Sequence, residues 1–466
     1  MPGTFFALEI GRSGLQAASV GEQVTGQNIA NAGTEGYSVQ SVHQEALDPY
    51  PASDHNTLAI PGLLGSGVAV QSIGRARDQF LDTQVRDATS GLQFQSSQSG
   101  ALTQVDAAFG EPSDTGLNAA LNAFSGAFHD LANNPEALGI RAAAVQSGDA
   151  LARSFQGVQS GLTSIATSLG SRVAADVSNI NAYGTQIAAL NVTIRQQTVQ
   201  GQPPNDLLDR RDVLLDKLSA LTNASVSPNT DGTVNVQIGS VALVTGLNAS
   251  AVSLTSLTAQ GDLKSGELAG LAQAQGTVTG YQTQLNTLAA SLVSQVNAAH
   301  SGGAGLDGTT GLPFFSATSG NEAATIAVNP VLAAHPEKLA AAGATSPAGT
   351  KPPPGDGSVA TVIAGLKDQA VTTPGDPLAG KTLQGFYQQV VSDAGGRAAS
   401  LKTAADSAQA GATQLGRQRD SVTGVSTDTE LANLLQYQRA YQASARVIQT
   451  ADDMVGTLIN NLFASR

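Results

Sequence analysis

Leu162, Ile165, Leu169, Val173, Ile180, Ile187 and Ile194 recur at spacings made of threes and fours. Only an α-helix turns such a set to one side, and a heptad-like seam about thirty residues long does not stay uncovered in water. The chain must therefore supply further long helices to cover this one. Val278, Tyr281, Leu285, Leu288, Leu292 and Val296 form a second seam of the same kind, with LLDRRDVLLDKLSALT as a shorter helix between the two. Helical patterning also covers 77–106, 116–132 and 135–160, where Pro135 suits a first turn, and everything from Leu383 to the C-terminus. The expected class is mainly α.

The two ends carry matching designs. Residues 1–31 read as a helix with Phe5, Leu8, Leu15, Ala18 and Ile29 along one stripe. Gly11, Gly14, Gly21 and Gly26 make it a poor helix on its own. In the last segment Leu431, Leu434, Tyr441, Ala445, Ile448, Val455, Ile459 and Leu462 form an apolar face interrupted by Gln438 and Asp452. Asp428 is placed to cap its start, and Glu430 falls in its first turn. A lone amphipathic helix does not hold together in water, so the two ends are expected to pair as an antiparallel coiled coil.

The stretch NIANAGTEGYSVQ stops the first helix at Asn31, Gly33 and Gly36 and resumes as alternating chain at Tyr37 and Val39. Extended chain follows over 37–75, with a Pro-bearing loop at 48–61 and GSGVAVQSI as a strand. Two later regions also break the helical pattern: 225–260, containing TDGTVNVQIGSVALVTG, and the Gly-, Pro-, Ala- and Thr-rich 301–382. They read together as one small β-containing insertion. The expected division is a terminal coiled-coil domain (1–60 and 425–466), a helical bundle (61–222, 262–302 and 383–424) and the β insertion (223–261 and 303–382).

Only 13 % of the 466 residues are charged and 4 % aromatic, with small and neutral polar residues filling the gap. Such a surface suits packing against like subunits better than free life as a soluble enzyme. A net charge of −13 without a basic run argues against nucleic acid as a partner. The absence of cysteine excludes disulfides, thiolate metal sites and cysteine nucleophiles. No stretch approaches the roughly 20 apolar residues that span a bilayer, so no membrane insertion is expected. MPGTFFALEIGRSGLQAASV lacks the basic leader and apolar core of a signal peptide.

Gly303, Gly305 and Gly308 spell GxGxxG, but a dinucleotide site needs a strand before it and a helix after it. Here a long helix precedes the glycines, and a polar loop follows. Asp231 and Asp356 lie in turns without the spaced acids of a calcium loop, and His43, His55, His129, His300 and His335 lack metal-ligand spacing. No GxSxG elbow is present. No cofactor, metal or catalysis is expected. Tyr37, Tyr437 and Tyr441 are either interface anchors or core residues with a hydroxyl at the edge. Arg439 and Arg446 share one face of the last helix, where they are either solvated or meet acids of an adjacent subunit.

SGLQAASVGEQVTGQNIANAGTEGYSVQ resembles the N-terminal signature NNIANxxTxGY of the rod, hook and hook-associated axial proteins of bacterial flagella. Asn28, Ile29, Ala30, Asn31, Thr34, Gly36 and Tyr37 match it. TELANLLQYQRAYQASARVIQTADDMVGTLINNL resembles the matching C-terminal signature. Within that family, YSVQ and LANLLQYQRAYQASARVI resemble hook-associated proteins more than hook or rod subunits. GSGVAVQSIGRARDQFLDTQVRDA, NPEALGIRAAAVQSGDALARSF and NDLLDRRDVLLDKLS support the same reading. The resemblance covers residues 1–220 and 380–466. Gln27, Glu22 and Glu35 depart from it, Glu35 standing where proline is common.

The resemblance implies a structural protein, exported to the flagellum without a cleaved signal by the flagellar type III route. It would self-assemble through its terminal helices as a ring at the hook–filament junction, those helices being loose in the free monomer and innermost in the assembly. The hook protein, a second junction protein (hook-associated protein 3) and an export chaperone are the implied partners. The implied assembly residues are the seven signature positions together with Leu431, Leu434, Tyr437, Gln438, Tyr441, Ala445, Arg446, Ile448, Val455, Leu458 and Leu462. Ala17, Ala18, Ala30 and Ala445 are small enough for close helix approach. A hook or rod subunit is the alternative within the family. Outside it, the alternative is a secreted adhesin on a helical stalk, against which the paired terminal signatures argue.

Overall fold

A computed structural model describes residues 3–49, 65–201, 204–259, 261–344, 349–373 and 375–464. The expected loop at 48–61 and the domain boundary at 60/61 lie mostly outside the described residues. The helices are α1 (Gly3–Asn31), α2 (Gln79–Phe109), α3 (Leu117–Asn133), α4 (Leu138–Val199), α5 (Asn205–Leu221), α6 (Leu254–Thr258), α7 (Glu267–Ser301), α8 (Glu322–Thr325), α9 (Pro330–Ala334), α10 (Ser358–Gly365), α11 (Leu383–Thr423) and α12 (Thr427–Ala464). No described helix is long and apolar enough to cross a membrane.

The seam residues Leu162 to Ile194 are all buried on α4, a single helix of 62 residues where the sequence reading expected two pieces. Its start is corrected too. Pro135 lies in the turn before α4, and its carbonyl accepts a 2.6 Å hydrogen bond from Arg141 Nε. The helical region from Leu383 is divided at 424–426, between α11 and α12, so the last helix starts next to Asp428, where its start was expected.

The chain divides into two compact units: residues 1–90, 179–264 and 409–466, and residues 91–178 and 265–408. In the first unit α1 and α12 run antiparallel. Gly11 lies against Ile448, Gly14 against Ser444 and Gly21 against Tyr437, each so close that an added side-chain carbon would collide. Strands β1 (Gln40–Ala46) and β2 (Val68–Arg75) pair antiparallel, Gln40 opposite Arg75, with a register shift at His43/Gln44. An antiparallel four-stranded meander follows: β3 (Ala224–Pro228), β4 (Val234–Ile238), β5 (Val241–Thr245) and β6 (Asn248–Ala249). Buried Asn191 of α4 fixes it by donating to Val234 O (2.9 Å) and Gly246 O (2.6 Å), while Arg211 of α5 reaches Gly232 O at 2.7 Å.

In the second unit α7 buries its whole seam, from Val278 to Val296. Phe124 and Phe128 of α3 pack with Phe314 and Phe315 at ring-centroid distances of 4.7–5.8 Å. Phe109 meets Tyr281 edge-on at 5.8 Å. The β structure here is slight: β7 (Gly303–Ala304) pairs with β10 (Ala342–Gly343), and β8 (Phe315–Ser316) with β9 (Ala327–Val328). The glycines of the GxGxxG sit where backbone crosses backbone. Side-chain carbons at Gly303, Gly305 and Gly308 would fall 2.7–2.9 Å from the carbonyls of Ala342, Glu337 and Gly349. Residues 223–261 and 303–382 therefore do not form one insertion. The first stretch is tied to α4 and α5 by Asn191 and Arg211. The second is tied to the end of α7, where Asn297 Nδ2 donates to Phe315 O (2.8 Å) and His300 contacts Leu312 O (2.7 Å).

Candidate assembly site at the meeting of the chain ends

Asn28 is the node of the first unit and is 1 % exposed. Its Nδ2 donates to Gln40 O (2.9 Å) and to Glu430 Oε2 (2.8 Å), while its Oδ1 accepts from Tyr37 OH (2.7 Å) and Gln40 N (3.0 Å). One amide thus joins the end of α1, the start of β1 and the first turn of α12, and every polar atom it buries is paired. Glu430, expected only as a first-turn acid, is itself buried. The cap of α12 is not Asp428, which lies inside the helix. The Ser426 hydroxyl accepts from Thr429 N at 3.4 Å.

The turn between these anchors is local. Asn31 Oδ1 accepts from Thr34 Oγ1 at 3.2 Å, and Thr34 N donates to Asn31 O at 2.9 Å. Gly36 has φ +76°, and a side-chain carbon there would strike Val213 of α5, so both conformation and space require glycine. Burial pushes Tyr37 up to about 12, helped by the charges of Asp206, Asp209 and Glu430. Its hydroxyl is therefore a fixed donor to Asn28.

Beneath the turn lies an ionic network that the sequence reading did not assign. Asp209 accepts from Ser38 N (3.1 Å) and Ser38 Oγ (2.8 Å), and pairs with Arg75 at 2.7 Å. Asp212 meets Arg75 (2.7 Å), Arg77 (3.4 Å) and Arg86 (3.3 Å). Asp216 meets Arg86 and Arg419, each at 2.7 Å, and Asp82 meets Arg77 at 2.7 Å. Burial alone raises the Asp212 carboxyl, but the three guanidinium groups outweigh it and hold it below the usual carboxylate range. The signal was present in the sequence. In a chain so poor in charge, Asp206, Asp209, Asp212 and Asp216 fall on one helical face.

The anticipated residues separate into two groups. Asn28, Leu434, Tyr437, Ala445, Ile448 and Val455 are buried or half-buried, as are Ile29, Asn31 and Tyr37. Ala17 and Ala18 are buried, but Ala30 is exposed and takes no part in close helix approach. Thr34, Gly36, Leu431, Gln438, Tyr441, Arg446 and Leu458 are exposed. The Leu462 side chain is outside the described residues. The single apolar face expected on α12 is thus corrected. Leu434, Tyr437, Ile448 and Val455 turn inward with Ala451, whereas Leu431, Tyr441 and Ile459 stand out, with Leu435, Val447, Met454 and Leu458.

Two chain ends paired antiparallel and fastened by the asparagine of the N-terminal signature fit the resemblance to flagellar axial proteins. Residues 102–315 match the family described as the flagellar hook-associated protein FlgK helical domain, and residues 418–462 match the flagellar basal body rod FlgEFG protein C-terminal family. Flagellar hook-associated protein 1 of Bacillus subtilis is 28 % identical over 99 % of both chains. That of Salmonella typhimurium is 26 % identical over 96 % of this chain and 98 % of its own. The solved flagellar hook junction protein FlgK of Burkholderia pseudomallei shares the fold at TM-score 0.63 and 16 % identity, covering 73 % of this chain and all of that one. Over nearly its whole length the chain is similar to flagellar hook-associated protein 1, and both family matches are to structural proteins of the flagellum.

Proposed function

We propose that this protein is the structural adaptor between flagellar hook and filament, and that it works as a ring of identical subunits. The observation that carries the reading is the α1–α12 pair fastened by Asn28 and Glu430. It presents exposed apolar side chains, Phe5, Leu431, Leu435, Val447, Met454 and Leu458, along an element that one chain cannot cover by itself. Neighbouring copies, the hook protein and the second junction protein, hook-associated protein 3, supply the cover. The signature positions Asn28, Ile29, Ala30, Asn31, Thr34, Gly36 and Tyr37 set the angle at which α1 leaves the rest of the first unit. Export by the flagellar type III route and escort by a chaperone on the apolar side of α12 belong to the same reading. A lattice protein of this kind needs no catalytic group.

The test is electron microscopy of cells lacking the gene, with an assay for flagellin in the medium. Complete hooks without filaments, plus free flagellin, are expected. Missing hooks would move the protein inward to hook or rod, and normal filaments would overturn the reading. Unchanged chaperone binding after deletion of 426–466 would remove the chaperone from α12.

A further inference from the structure

The first unit holds an open groove of about 670 Å³ bounded by the turn after α1, the C-terminal part of α4 and one face of α5. Tyr37, Leu190, Val213 and Leu214 give it an apolar floor, while Glu35, Asp206 and Arg210 stand at its rim. Glu35 and Arg210 are exposed and form no ion pair among the described residues. On the side of α12 turned away from α1 runs an exposed stripe: Leu435, Arg439, Gln442, Arg446 and Asp453. Arg439, Arg446 and Asp453 follow one another at two-turn intervals, and they too have no ion pair among the described residues. Beside Asp209, which is already paired with Arg75, the groove offers two acids and one base around an apolar floor. The stripe offers two bases and one acid around a leucine.

We infer that the groove receives the outer stripe of α12 from a second copy of this chain. The contact is head-to-tail, because groove and stripe are different surfaces of one chain, and such a contact closes into a ring when the rotation per subunit permits. Charge complementarity selects the occupant: Glu35 stands unpaired among the described residues at the groove, and the basic stripe that answers it, Arg439 and Arg446, lies on the same chain. This proposal rests on the assembly reading above and deepens it by naming the two surfaces that meet.

The absence of cysteine makes the test clean. Gln186→Cys in the groove wall and Gln442→Cys on the stripe, made together in the full chain, are expected to give a ladder of disulfide-linked multimers in oxidised, isolated flagella. Each single variant should stay monomeric. Glu35→Arg or Arg439→Glu, added to that pair, should each lower the cross-linking yield several-fold, and the two together should restore it. If the doubly substituted chain is present in the flagella yet runs only as monomer, this contact is overturned while the function reading stands. If the chain is absent from hook–filament structures, both fall. A ladder indifferent to both charge reversals removes charge complementarity and overturns the proposal as stated.

Discussion

The two units of the molecule solve the same problem with opposite materials. The second unit is held by an aromatic core: Phe128, Phe155, Phe314, Phe315, Tyr281 and Tyr387 are almost wholly buried. The first is held by charge and amide groups, with Asp209, Asp212 and Arg211 buried beside Asn28, Gln40 and Glu430. An aromatic core gains most of its free energy from area removed from water and tolerates small shifts. A buried ionic network is worth little net, but each member is costly to orphan, so it permits one arrangement and few others. That is a fitting material beneath a turn that fixes one direction for the chain leaving α1.

The largest effects should break each unit in its own way. Asp212→Ala removes the one carboxylate that Arg75, Arg77 and Arg86 share, leaving each with a single acid, and should cost about 3 kcal/mol. Phe314→Ala should cost a similar 3–5 kcal/mol through the cavity it opens. Hydrogen exchange read separately over 205–221 and 278–296 distinguishes the two. Asp212→Ala should speed exchange in the first stretch, Phe314→Ala in the second, and equal acceleration of both stretches by either variant would erase the comparison.

The two materials also explain what could be read in advance. The seams of α4 and α7 and the terminal pair were legible, and so was the helical character of each long helix though not every end, because apolar periodicity records which side is buried. The signature asparagine was legible as a hydrogen-bonding residue at a helix end. The Arg–Asp network was not assigned, since charge at helical spacing looks the same whether it faces water or four guanidinium groups. Nor was the splitting of the two β regions, because two-residue strands held by His300 and Asn297 leave no alternating pattern. On α12 an apolar residue facing α1 and one standing exposed share a composition. The sequence therefore merged Leu434 and Leu431 into one face.

Acid should act on the second unit through two groups of opposite sign. His300 accepts from Ala340 N (2.9 Å) at Nε2 and donates from Nδ1 to Leu312 O, and burial pushes it down to about 4. The unfolded chain takes up that proton near 6.5. Stability from His300 is therefore present above 6.5 and is lost as pH falls towards 4, by about 3 kcal/mol. Burial, with Glu267 nearby, pushes Asp176 up to about 6, so its folded form holds a proton that the unfolded form has released, and stability falls as pH rises from the usual carboxylate range to 6. The two slopes oppose each other between pH 4 and 6. Asp176→Asn should expose a second unit that weakens steeply in acid, whereas the unsubstituted protein shows a flatter profile. Urea titrations at several pH values decide it, and an unchanged profile would mean that one of the two groups does not titrate there.

At the turn after α1 the effect is smaller. Asn28→Ala orphans Gln40 N, Tyr37 OH and the buried Glu430 carboxylate, at a cost of about 2 kcal/mol. The loss should appear as faster exchange at residues 37–40 and 427–434, with 278–296 unaffected. Asn28→Asp should do worse than alanine, because it sets a carboxylate against Glu430; if it instead matched the unsubstituted protein, the Asn28–Glu430 bond would not fasten the two chain ends.

The smallest and sharpest test uses two glycines of one helix. Gly26 has open space around its α-carbon, so Gly26→Ala only removes backbone freedom and should stabilise α1 by about 0.5–1 kcal/mol. Gly21 lies against the Tyr437 ring, where a side-chain carbon would fall at 2.5 Å, so Gly21→Ala must push α12 away and should lose more than it gains in helix propensity. Circular dichroism of the monomer should show helix content rising with the first change and falling with the second. If both raised it, the close approach of α1 and α12 would not exist in the free chain, and the pairing would have to form only on assembly.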